Sequence, residues 1–95
     1  MPKGYLVAHI RVQDKDKFEE FKSMSGPAIA DFGGRVLVRN PAPDHREGAA
    51  RGLCIVIEFE SLDQARSFYD SEAYTAARAV RELAAETDLM LVEGL

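Results

Sequence analysis

Five residues of this 95-residue chain carry side chains suited to binding and proton transfer: His9, Arg39, Glu58, Tyr69 and Tyr74. An imidazole, a guanidinium and a carboxylate brought together form an anion-preferring pocket. Arg39 would clamp a carboxylate, and His9 or Glu58 would accept a proton. The plainer reading of the same set is structural: an Arg–Glu pair fastens two strands or two subunits, and His9 is a hydrogen-bonded strand residue. Tyr69 and Tyr74 flank Ser71, and each offers an apolar ring with a hydroxyl. They either pack a helix bend or line a pocket entrance.

Strand register is what would assemble these residues. Gly4 to Val12 alternates, with Leu6, Ala8, Ile10 and Val12 on one face and Tyr5, Val7, His9 and Arg11 on the other. Arg35 to Asn40 alternates likewise, with Val36 and Val38 facing one way. Leu53 to Glu60 is apolar enough for a central strand, with Ile55 and Ile57 on one face and Cys54, Val56 and Glu58 on the other. Pairing Val36 and Val38 with Ile55 and Ile57 puts Arg35 near Glu58 and Arg39 near Cys54. His9 and Arg11 then share the face of Arg35, Arg39 and Glu58. Such charges must be paired or hydrated.

Helices fill the gaps. Asp14 is a fitting N-cap for a helix with Phe18, Phe21, Ser25, Ile29 and Phe32 along one stripe. Ser25-Gly26-Pro27 predicts a break, into about 15–24 and about 27–32, and Gly33-Gly34 ends the element. Ser61 with Gln64 fits a capping box, and Ser71 caps the next helix. That helix, about 73–87, is read with Ala76, Val80, Leu83 and Thr87 inward. Leu89 to Glu93 is the last strand, and residues 40–52 form a Pro- and Gly-rich loop. The order predicts a ferredoxin-like α+β fold, βαββαβ, with a four-stranded antiparallel sheet carrying helices on one face. The other face would expose Tyr5, Val7, Leu37, Cys54 and Val56. An apolar patch of that kind calls for a partner, and two such sheets face to face make a dimeric barrel.

Composition bounds the function. Residues 1–95 make one domain with a modest core. Residues 1–52 hold nine Lys and Arg against seven Asp and Glu, a balance of +2; residues 53–95 hold three against nine, a balance of −6. No basic stripe exists for nucleic acid, so none is expected as a partner. No apolar run reaches the ~20 residues of a membrane span. One cysteine, Cys54, allows no intrachain disulfide, and the N-terminus reads as a strand rather than a signal peptide, so a cytoplasmic location is expected. Cys54 itself reads as a small buried hydrophobe. The two histidines have no ligand-spaced companions, residues 61–87 contain no histidine for haem, and no nucleotide fingerprint or Ser–His–Asp order occurs. Neither a metal nor a cofactor is expected.

Gly4-Tyr5, Gly33-Gly34 followed by Val38-Arg39, Glu47-Gly48, Ile57-Glu58-Phe59, the run from Ala65 through Phe68-Tyr69, Ser71 and Tyr74, then Arg81 and Val92-Glu93-Gly94, carry a resemblance. In order and spacing the chain resembles the bacterial family known as domain of unknown function 1330. The resemblance implies the dimeric α/β-barrel superfamily, hence a homodimer with a pocket inside or between the sheets. It supplies no catalytic residues. Phe21 stands where the family often has tyrosine, and Pro41-Ala42-Pro43 departs from the usual hairpin. The expectation is a protein binding a small organic acid or aromatic in a barrel pocket, with room for cofactor-free chemistry. The alternative is a structural or regulatory homodimerisation module.

Overall fold

Strand β1 (Gly4–Val12) alternates as its sequence requires. Leu6, Ala8 and Ile10 are buried, while Tyr5, Val7, His9 and Arg11 are half-buried on the opposite face. The computed structural model describes residues 1–95. After β1 come α1 (Lys15–Asp31), β2 (Arg35–Asn40), β3 (Leu53–Phe59), α2 (Leu62–Asp70), α3 (Glu72–Ala84) and β4 (Ala85–Glu93). The strands lie in the order β2-β3-β1-β4, each antiparallel to its neighbours. This is the expected ferredoxin-like α+β fold. No helix is long and apolar enough to cross a membrane.

The helix starts follow from side-chain capping. Asp14 accepts the Lys17 N–H at 3.1 Å, Ser61 that of Gln64 at 3.0 Å, and Ser71 that of Tyr74 at 3.1 Å. The Ser71 hydroxyl also donates to the Phe68 carbonyl at 2.7 Å, so one residue closes α2 and opens α3. Gln64 does not complete a capping box. Its amide donates to the Phe32 carbonyl at 3.0 Å and ties α2 to the end of α1.

Four expectations are corrected. Helix α1 does not break at Gly26-Pro27 but runs through Pro27. A proline removes one N–H and crowds one preceding carbonyl, and the α1–α3 packing holds the turn together across that gap. Helix α3 stops at Ala84, and Thr87 belongs to β4, which starts four residues before Leu89. Arg11 and Val12 of β1 pair with Glu86 and Ala85, and this ladder overrides the helix preference of the Ala-Ala-Glu run. The inward face of α3 is Tyr74, Ala77, Arg81 and Ala84, whereas Leu83 is 70% exposed. Finally, β2 carries an irregularity between Val36 and Val38 that leaves Leu37 without a partner.

The core is small, with 17 of 95 residues buried, so a few aromatics dominate it. Phe59 and Phe68 are fully enclosed with ring centroids 5.1 Å apart, and Phe68 meets Tyr74 at 4.6 Å. Across the sheet's other face, register aligns Val38, Val56, Val7 and Met90 in one apolar row spanning all four strands.

Candidate functional site

Helix α1 packs mainly against α3 and makes few contacts with the sheet. A cavity of about 330 Å3 opens between α1 and the strands. Its floor is Leu6 and Ile10 with Leu53, Ile55 and Ile57. Phe18, Phe21 and Ile29 form the roof, with the Ser25 side chain set among them. The volume lies at the low end of the ~300–1,000 Å3 typical of small-ligand pockets.

The polar groups sit at two ends. At the exposed rim are Lys22, Arg39 and Pro41; at the buried end are Tyr74 and Arg81. Lys22 is tied to Glu19 at 2.8 Å and lies 5.8 Å from the Phe18 ring centroid. Arg39 takes part in none of the chain's ion pairs. Arg81 is only 6% exposed and has no carboxylate partner. It donates to the Tyr74 hydroxyl, and its guanidinium lies 5.7 Å from the Phe21 ring centroid and 5.8 Å from that of Tyr74. A buried cation without a counter-ion is costly, so an anion or a strong acceptor is favoured there. Burial pushes the Tyr74 hydroxyl above its ordinary 10.0, with Arg81 pulling the other way. Tyr74 is therefore neutral at physiological pH. Having accepted from Arg81, it keeps its own proton to donate.

The five residues singled out in the sequence fall in three places. Arg39 and Tyr74 line this cavity. His9 and Glu58 lie on the opposite sheet face, where His9 is registered with Cys54 and Asp88. Glu58 accepts from the Tyr5 hydroxyl at 3.2 Å and lies 3.6 Å from Arg35. Desolvation, then the bond to Glu58, hold the Tyr5 hydroxyl above its ordinary value and keep it a donor. Tyr69 borders a separate polar cavity and accepts from Arg78 at 2.9 Å. Arg35 does oppose Glu58, as the register predicts. Arg39, however, opposes Ile55 rather than Cys54. The extra residue at Leu37 turns the chain by one position, so Arg39 leaves the His9 face for the helix side. This corrects the expectation of one cluster on the mixed face.

Sequence reasoning missed Lys22, Ser25 and above all Arg81. A signal for Arg81 exists: it follows Tyr74 by seven residues, two helical turns, which puts the two on one face.

No functionally curated protein matches the chain. Among solved structures, it is similar to a protein of unknown function from Rhodopseudomonas palustris, at 15% identity and TM-score 0.80, covering 99% of this chain and 83% of that one. It is similar to SnoaB, a cofactor-independent oxygenase from Streptomyces nogalater, at 12% identity and TM-score 0.67, covering 97% and 92%. A dimeric protein of unknown function with a ferredoxin-like fold from Bacteroides fragilis matches at 14% identity and TM-score 0.59, covering 96% and 93%. At these identities the likeness is one of fold. The sequence signature of domain of unknown function 1330 matches residues 3–95, and the chain belongs to that family.

Proposed function

We propose that this protein binds a compact organic acid, aromatic or short-chain, in the cavity between α1 and the sheet. The supporting observation is the charge arrangement: apolar walls, a cation at each end and no carboxylate among the lining residues. The ligand's carboxylate sits at the rim with Arg39 and Lys22, its apolar body lies between Phe18, Phe21 and Ile55, and a carbonyl or hydroxyl oxygen meets Arg81 and Tyr74. Of the proton acceptors the sequence offers, neither His9 nor Glu58 lines the cavity, so the reading is one of binding rather than turnover.

The test is calorimetric titration with para-hydroxybenzoate, its neutral amide and benzoate. The acid is expected to bind saturably, the amide at least tenfold more weakly, and benzoate more weakly than the hydroxy acid. Arg39→Ala is expected to weaken the acid about tenfold, ~1.4 kcal/mol, with thermal stability within about 0.5 kcal/mol of the parent because the side chain is exposed and unpaired. Equal binding of acid and amide, or an unchanged affinity in Arg39→Ala, rejects the reading.

A second reading concerns assembly, and the row Val38–Val56–Val7–Met90 favours it. The chain forms a homodimer through the open sheet face, in the cytoplasm where Cys54 stays reduced. Dimerisation on that face leaves the acid-binding cavity on the helix side free, so the two readings are compatible.

A further inference from the structure

A second cavity, about 340 Å3, lies where the end of α2, the last turns of α3 and the start of β4 meet. Its walls are Tyr69, Arg78, Arg81, Glu82, Ala85 and Thr87. Three buried side-chain polar atoms in the whole chain lack a hydrogen-bond partner: Arg78 Nε, Arg81 Nε and Thr87 Oγ1. All three belong to residues that line this one cavity. A buried polar atom that gives up water without gaining a partner is unfavourable, more so when charged, so three in one place favour an acceptor there.

The remaining groups agree. Tyr69 accepts from Arg78 Nη1 at 2.9 Å, which leaves the phenolic proton free to donate. The Arg78 guanidinium lies 5.1 Å from the Tyr69 ring centroid, a second contact between the two side chains. The cavity's one carboxylate, Glu82, is 3.8 Å from Arg78 Nε, beyond hydrogen-bond distance, and its side chain is 68% exposed. Two guanidinium N–H groups and two hydroxyls therefore surround a space with one loosely held acceptor at its edge. Little apolar wall is present, so the ligand is a hydrophilic anion with oxygens on several sides.

We propose that this second cavity is a phosphate-binding site formed by Arg78, Arg81, Thr87 and Tyr69, with Glu82 as a mobile counter-ion that the anion displaces. It takes a phosphate group, either the free ion or a monoester. The site occupies a different cavity from the organic-acid site and shares only Arg81 with it.

The experiment follows amide shifts by NMR during titration with inorganic phosphate, with ionic strength held constant by chloride. A parallel arm uses glycerol phosphate. Saturable shifts centred on Tyr69, Arg78 and Thr87 are expected. Tighter binding of glycerol phosphate identifies a monoester ligand; equal or weaker binding identifies the free ion. Arg78→Gln and the near-isosteric Thr87→Val should each weaken binding about tenfold, and Glu82→Gln should strengthen it. The absence of saturable shifts in the parent, equal shifts with chloride alone, or unchanged affinity in both Arg78→Gln and Thr87→Val overturns the proposal.

Discussion

One hydrogen bond joins Tyr74 and Arg81 across two turns of α3, in a position where neither has another strong partner. Tyr74→Phe leaves the Arg81 Nη1 group unmatched while keeping the ring that packs against Phe68. The expected loss is about 1.5–3 kcal/mol, the range for hydrogen bonds to charged groups. It is read as a fall in Tm of roughly 4–8 °C per kcal/mol. The same residue sets an alkaline limit. Its folded-state pKa is raised, chiefly by burial, above the 10.0 of an unfolded tyrosine. Its contribution is complete below pH 10.0 and is lost as the pH rises through the folded value, because the unfolded chain ionises first. Tyr5 adds a contribution of the same sign. Denaturant melts across alkaline pH should show a steeper decline for the parent than for Tyr74→Phe; equal slopes would remove Tyr74 from the account. Arg81 escaped the sequence pattern for a physical reason. Periodicity scores Val80 and Leu83 as inward and an arginine as outward. Here the helix is phased by Tyr74 and two alanines, which leaves Leu83 in water.

At the scale of elements, most of the fold was legible. The alternation in β1 and β3 and the caps at Asp14, Ser61 and Ser71 are local signals, and each appears in the structure. What failed depended on distant partners. The extent of β4 is set by how far β1 reaches, and the continuity of α1 is set by α3. The bulge in β2 has no signature in the six residues Arg35–Asn40, and it decides which face Arg39 joins. The candidate site was thus only half legible. Helix α1 also retains a weak point at Gly26, where an added Cβ would meet nothing within 4 Å outside its two chain neighbours, one of them Pro27. Gly26→Ala removes backbone freedom from the unfolded chain but sets a Cβ against the Pro27 ring in helical geometry, so it should fall short of the ~0.5–1 kcal/mol gain usual in a helix interior. Chemical denaturation checks this, and a gain of the full size would mean that no pre-proline crowding acts at Gly26.

The whole molecule is a slab, 37 × 33 × 16 Å, with helices on one side of the sheet only. It exposes 5977 Å2, whereas a compact monomer of 10.5 kDa exposes roughly 5,400 Å2. The excess fits a protein with one face still to be covered. On that face the apolar row is flanked by charges of both signs, Arg35 and Glu58 on one side and Arg11, Asp88 and Glu86 on the other. A two-fold axis through the row can set opposite signs against each other. Light scattering at micromolar concentration should report a dimer. Val7→Glu, which places a charge in the middle of the row, should report a monomer with its helix content retained. A monomeric parent protein would remove the interface.

The bulge at Leu37 also bears on how this gene can change. Losing one codon from within a strand is ordinarily ruinous, since every later residue turns over to the opposite side. Strand β2 holds one residue more than its partner can match. An in-frame loss of Leu37 would leave Val38 opposite Val56 and Arg39 opposite Ile55, as they are now. At this position a deletion straightens the strand while the rim of the cavity keeps its arginine. A lineage could therefore shorten here with the cavity rim and the apolar row of the open face both unchanged.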